Sequence, residues 1–244
     1  MPFSVDRFLT THTGSLPRPD DLVQMMYGKE EGKEVDIAAL HKRTTTAVRE
    51  VVDKQRQAGL DIVNDGEMSK PSYATYASLE LSEFRKRAAE HVEALNVALE
   101  NIPPDRTRMH LCWGNYEGPH HCDVPLVDIV DILLKARPAM LSLDAANPRH
   151  AHEFAVFEKV KLPEGKALIP GVIESKSNFI EHPAVIANRI SNYARLVGRE
   201  NVIAGSDCGY GTWVGQAAVD PDIVWAKLAA LTEGARLASQ RFWP

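Results

Sequence analysis

Cysteine is scarce in this chain, with three residues in 244. Three thiols cannot build a disulfide framework for a protein of this size. They read instead as ligands, nucleophiles or core residues in a reducing compartment, and a cytoplasmic location is expected. Long apolar runs are missing too: no stretch of about 18 apolar residues occurs, so no membrane-spanning helix is expected. The opening MPFSVDRFLTTHTG has no basic region followed by an apolar stretch and does not read as a secretory leader. Positive charge is not in excess. Lys and Arg number 28 against 33 Asp and Glu, a formal net charge of -5, so there is no overall basic footprint for nucleic acid. Short repeats, low-complexity tracts and Gly/Ser linkers are also lacking.

What remains is an ordinary globular composition, 44% hydrophobic and 25% charged, read as one domain spanning 1–244. Strand-like and helical patterns alternate along it. Strands are expected near 6–12, 60–64, 106–112, 140–144, 167–173 and 201–206, and helices over 36–57, 81–99, 124–136, 183–198 and 220–239. Strand-then-helix repetition points to parallel βαβ units, in a doubly wound sheet or a barrel. A (β/α)8 barrel takes about 250 residues, which this length barely allows.

Polar residues sit at the C-terminal ends of several expected strands. His110 and Cys112 are two apart, so on a strand they share a face. Asp144 ends the next strand, and Cys208 follows the last one in GSDCGYG. An imidazole, two thiolates and a carboxylate form a donor set soft enough to prefer zinc over magnesium or calcium. Zinc would keep the cysteines deprotonated, and a substrate thiol replacing the weakest ligand would stay nucleophilic. Alkyl transfer to a thiol is therefore expected rather than hydrolysis. Buried cysteine is more often a small hydrophobe, so the spacing alone leaves a metal-free core open. His120, His121 and Cys122 in GPHHCD form a rival cluster on an expected solvated loop.

Taken together, HLCWGNYEGPHH, LSLDAANPRHAHE, LIPGVIESKSNFIEHP and VIAGSDCGYGT resemble the catalytic barrel of cobalamin-independent methionine synthases. The likeness is strongest to the single-barrel relatives, which include epoxyalkane:coenzyme M transferases, and extends to THTGSLPRP and GLDIVNDGEMSKPSYATY. It implies a (β/α)8 barrel, zinc held by His110, Cys112, Asp144 and Cys208, and homocysteine bound near Gly14, Ser15 and Glu67. The implied reaction moves a methyl group from a methylated folate to the homocysteine thiol, with an epoxide and coenzyme M as the alternative pair. Asp144 departs from the pattern, since methionine synthases carry Glu there. Lys176 stands near the family's proton-transferring histidine, with Glu174 and His182 close by. The largest departure follows Tyr76, which runs almost directly into a helix-like stretch at Ala77. Six strand units are expected where the family has eight, the third and fourth being absent. An incomplete barrel would expose two sheet edges, a route to self-association. A non-catalytic zinc-binding fragment and a metal-free barrel of the uroporphyrinogen decarboxylase kind are the competing readings.

Overall fold

The computed structural model describes residues 3–69, 81–115, 123–211 and 218–243. Helices and parallel strands alternate. Asp20–Glu30 forms α1, Ile37–Gln57 α2, Leu81–Ala98 α3, Arg108–Leu111 β1, Val130–Leu133 α4, Met140–Leu143 β2, Ala167–Ile173 β3, Pro183–Val197 α5, Gly205–Ser206 β4 and Pro221–Phe242 α6.

The long helices begin where the sequence supplies caps. Asp36 accepts from Ala39 N at the start of α2, and Asp220 accepts from Asp222 N at the start of α6. Both α5 and α6 carry proline in their first turn, where a missing N–H costs nothing. His182, one of the residues flagged near the expected site, is the N-cap of α5: Ala184 N donates to its Nδ1. Along α2 the buried stripe is Leu40, Ala47, Val51 and Gln55, at helical spacing.

Strands β1 to β4 form one parallel sheet in chain order, with His110 beside Ser142 and Ser142 beside Ile169. Single bridges extend the arc. Thr10 pairs with Ala204 and Thr11 with Ile62, both parallel. Six parallel segments therefore run side by side, in the order Ile62, Thr10–Thr11, β4, β3, β2, β1, matching the six expected strand units. Among the described residues, nothing pairs with the outer edge of β1 or with the far side of Ile62.

Local differences from the expected elements have identifiable causes. The stretches 6–12 and 60–64 are bridges rather than strands because side chains take over the backbone donors. Asp61 accepts from both the N–H and the hydroxyl of Thr10 while holding Arg7 bidentately. The expected helix 124–136 is split into a 3₁₀ turn at Leu126–Asp128 and the short α4, with Ile129 at φ -132° interrupting the helical run. Helix α1 lacks a strong pattern in sequence and is held mainly by its buried Leu22 and Met26.

The sheet divides two environments. Leu141, Leu143, Leu168, Val172, Val202 and Ala204 point outward into the main core beneath the helices. On the concave side, Met140, Ala167, Ile169 and Ile203 close the lower end together with Phe3, Leu9 and Ile62. Above that apolar floor the inner face turns polar. Arg108 Nη1 donates to Thr11 Oγ1 across the arc, and Thr13 Oγ1 lies 3.2 Å from Ser142 Oγ. No helix among the described residues is long and apolar enough to cross a membrane.

Candidate metal centre

The parity of β1 and β2 puts His110, Cys112, Ser142 and Asp144 on the concave face, at the C-terminal end of the sheet. Cys208, just past β4, completes the group. One ligand atom from each of His110, Cys112, Asp144 and Cys208 falls within 4.8 Å of the others. The Cys208 sulfur lies 3.0 Å from that of Cys112, 3.2 Å from Asp144 Oδ1 and 3.4 Å from His110 Nε2. Donors bonded to one zinc ion at 2.0–2.3 Å lie roughly 3.3–3.8 Å apart, so shifts of up to about 1 Å, within reach of side-chain rotation, let the four atoms share an ion. Asp144, although a methylene shorter than glutamate, reaches the cluster directly. Two sulfurs, one imidazole and one carboxylate are a zinc-like donor set.

The orientation of His110 is fixed from behind. Its Nδ1 lies 3.0 Å from Ser142 Oγ, which leaves Nε2 facing the sulfurs. Metal-binding histidines are commonly held by such a bond on the other ring nitrogen. Ser142 sits two residues before Asp144 on the same face, so its position was readable from strand alternation, although its role was not.

Charge is concentrated here. The hydrogen bond from Cys208, with His110 and Gly114 N–H adding to it, lowers the Cys112 thiol to about 4. Cys208 is pushed well above its ordinary value by that same bond, by burial and by Asp144. Burial, with Asp207 and Cys112 adding to it, raises Asp144 well above the carboxylate range, while Lys176 acts the other way. A cation would be held by the thiolate and carboxylate forms of these groups, the forms that burial and mutual repulsion disfavour at Cys208 and Asp144. Binding of a divalent ion would therefore displace protons from the group.

Sequence reasoning missed Asp207. Its buried carboxylate accepts from Ala145 N and Ala146 N on Oδ1, and from Asn147 N and Nδ2 on Oδ2. It thus ties the loop after Asp144 to the residue before Cys208. Gly171 makes room for it, since a Cβ there would stand 2.0 Å from Asp207 Oδ1. The legible signal was an acid inside VIAGSDCG, where a buried charge requires donors.

Of the residues expected to bind homocysteine, Gly14 and Ser15 pack against the Cys208 loop. Gly14 has φ +76°, and a Cβ on it would meet Gly209 N at 2.8 Å. Ser15 is buried, with its carbonyl accepting from Tyr210 N and its hydroxyl from Gly211 N. Glu67 occupies a turn at φ +53°, and Arg18 links its carbonyl to that of Gly211. Glu174 organises the loop after β3 by accepting from Lys176 N and Ser177 N. The rival cluster His120, His121 and Cys122, and the junction at Tyr76 and Ala77, lie outside the described residues.

No protein-family model matches the chain. Solved structures do. A cobalamin-independent methionine synthase of a Shewanella species, in complex with selenomethionine, superposes with TM-score 0.69 at 16% identity, covering 97% of this chain and 99% of that one. The fold is that of the cobalamin-independent methionine synthases. A Listeria monocytogenes protein assigned to the same group superposes with TM-score 0.62 at 15% identity, covering 99% of both chains. In sequence, 2-hydroxypropyl-CoM lyase of Xanthobacter autotrophicus is 25% identical over 171 residues, covering 60% of this chain. The chain spans 44% of the length of that curated relative.

Proposed function

We propose that this methionine synthase-like protein is a zinc-dependent transferase that alkylates a thiol, with homocysteine as acceptor and a methylated folate as donor. The observation that carries this reading is the cluster of His110, Cys112, Asp144 and Cys208 at the C-terminal end of a parallel sheet, where (β/α) enzymes keep their sites. His110, Cys112 and Cys208 would hold the ion, with Asp144 as the fourth donor. Zinc supplies Lewis acidity that keeps a bound thiol deprotonated and nucleophilic near neutral pH.

The chain's own residues do the rest. Ser142 holds His110 in place, and Asp207 holds the loops of Asp144 and Cys208 together. The positive charge of Lys176 favours the ionised form of Asp144, the form that would serve as a ligand. The turn at Gly14–Ser15, packed against the Cys208 loop, and the turn at Glu67, tied through Arg18 to Gly211, would form the amino-acid-binding wall. The new sulfur–carbon bond forms as the bond from methyl carbon to folate nitrogen breaks, and the folate nitrogen takes up a proton.

The sequence relative favours a second reading, in which the acceptor is a sulfonate-bearing thiol and the donor an epoxide. X-ray absorption at the zinc edge separates the acceptors. Purified protein should retain one zinc per chain and gain one sulfur neighbour on adding homocysteine, and methionine should appear when methylated folate is supplied. A sulfur gained only with 2-mercaptoethanesulfonate would select the second reading. Protein that retains no zinc, or whose coordination ignores both thiols, would overturn both readings. Sulfur uptake without any alkyl transfer would leave a zinc-binding protein that is not an enzyme.

A further inference from the structure

Immediately after Cys112, the ring of Trp113 lies over that of His150, with centroids 4.3 Å apart and planes 28° from parallel. His150 is buried and bound on both nitrogens by carboxylates. Its Nδ1 is 2.8 Å from Glu153 Oε2, and its Nε2 is 2.9 Å from Asp123 Oδ2. Carboxylates only accept, so both ring nitrogens carry protons and the ring is a cation lying against an aromatic face.

Each partner is itself tethered. The second oxygen of Glu153 accepts from Leu126 N, and Trp113 Nε1 donates to Val124 O. The backbone N–H of His150 donates to both oxygens of Asn147, whose own amides bind Asp207. A continuous path thus joins Cys112 to Cys208 through Trp113, His150, Asn147 and Asp207.

We propose that His150, clamped between Asp123 and Glu153, is a positioning residue that fixes Trp113 and thereby holds the sulfur of Cys112 against that of Cys208. This rests on the reading of the cluster as a metal centre. Cys112 needs such support. It is exposed, and it follows a strand that is an edge among the described residues. Outer partners of this kind typically change metal affinity 10- to 100-fold.

Cobalt(II) provides the test, because its thiolate charge-transfer band reports sulfur geometry. His150→Gln and Trp113→Leu should each weaken cobalt binding about tenfold and shift that band, in line with outer-partner effects. Trp113→Phe, which keeps a stacking face, should stay near the parent. The double variant His150→Gln/Trp113→Leu should be no worse than the poorer single one, since the two act through each other. A second measurement needs no metal. Treating metal-free protein with diamide converts the two thiols to a Cys112–Cys208 disulfide, with two electrons and two protons passing to diamide. The rate should fall severalfold in His150→Gln. A parent that binds no cobalt but shows this fall retains the clamp and loses the metal reading. A His150→Gln protein with a lower melting temperature but unchanged cobalt affinity, band and disulfide rate overturns the clamp.

Discussion

Lys227 on α6 offers a quantitative test of how the loop after β3 is held. Its side chain has 0% exposure, and its ammonium lies 2.8 Å from Glu181 Oε2, a carboxylate itself only 12% exposed. The same nitrogen donates to Phe179 O. Glu181 Oε1 accepts from Glu174 N, so one ion pair braces the loop at several points. Removing one partner of a buried pair strands the other charge, at about 3–5 kcal/mol. Arg189 stands 3.9 Å from Glu181 and screens part of that penalty, which places Lys227→Met near the lower end, about 3 kcal/mol. For a protein of this length, that corresponds to a fall of roughly 6–12 °C in melting temperature. Glu181→Gln should cost a similar amount, because it leaves the buried ammonium with neutral acceptors and no counter-charge at 2.8 Å. The double variant removes both charges and should cost no more than about 3 kcal/mol, against an additive sum of about 6. Urea unfolding of the four proteins measures the cycle. A cost below about 1 kcal/mol for Lys227→Met, or simple additivity, would refute the assignment of Lys227 and Glu181 as a coupled buried pair.

Further outcomes follow from the same geometry. Cys208→Ser and His110→Asn should abolish zinc retention through gel filtration, measured by elemental analysis, while leaving far-ultraviolet circular dichroism unchanged. Gly171→Ala places a methyl against the Asp207 carboxylate and should cost about 1–3 kcal/mol in urea unfolding, as overpacking does, and weaken zinc binding as well. His150 gives stability a pH dependence of known sign. Against burial, which lowers its pKa, Glu153 and Asp123 raise it above 6.5. Its contribution is therefore complete below about pH 6.5 and is lost as pH rises through the folded-state value. Unfolding free energy measured from pH 6 to 9 should fall less in His150→Gln than in the parent.

Helices α2, α5 and α6 were legible within a few residues because Asp36, Pro183 and the pair Asp220–Pro221 mark their starts and because their apolar stripes are long, and α3 because 18 residues pass without Gly or Pro. Helix α1 was not, since two buried residues in eleven leave little periodic signal. Four donors of the candidate centre were readable from strand parity and from residues at strand ends. Asp207 and His150 were not readable as positioning groups. The amides that meet Asp207 lie about 60 residues away, and although Glu153 is only three residues from His150, Asp123 and Trp113 reach it from another loop. The stretches around Thr10 and Ile62 read as strands because Phe8, Thr10 and Thr11 in one and Ile62 and Val63 in the other favour extended backbone. The Asp61 side chain, a tertiary competitor, reduced them to bridges.

The open edge of β1 gives the candidate centre a mechanical meaning. Among the described residues, His110 and Cys112 hang on a strand with a single paired neighbour, while Cys208 belongs to the far side of the arc, beyond β2 and β3. An ion held by all three would act as a keystone, gripping the two ends of the four-stranded arch from its concave side. Amide hydrogen exchange would reveal this as a slowing along Arg108–Leu111 on zinc addition that β2 and β3, already flanked on both sides, do not share. The same ion that readies a thiol would then also hold the loose end of the sheet in place.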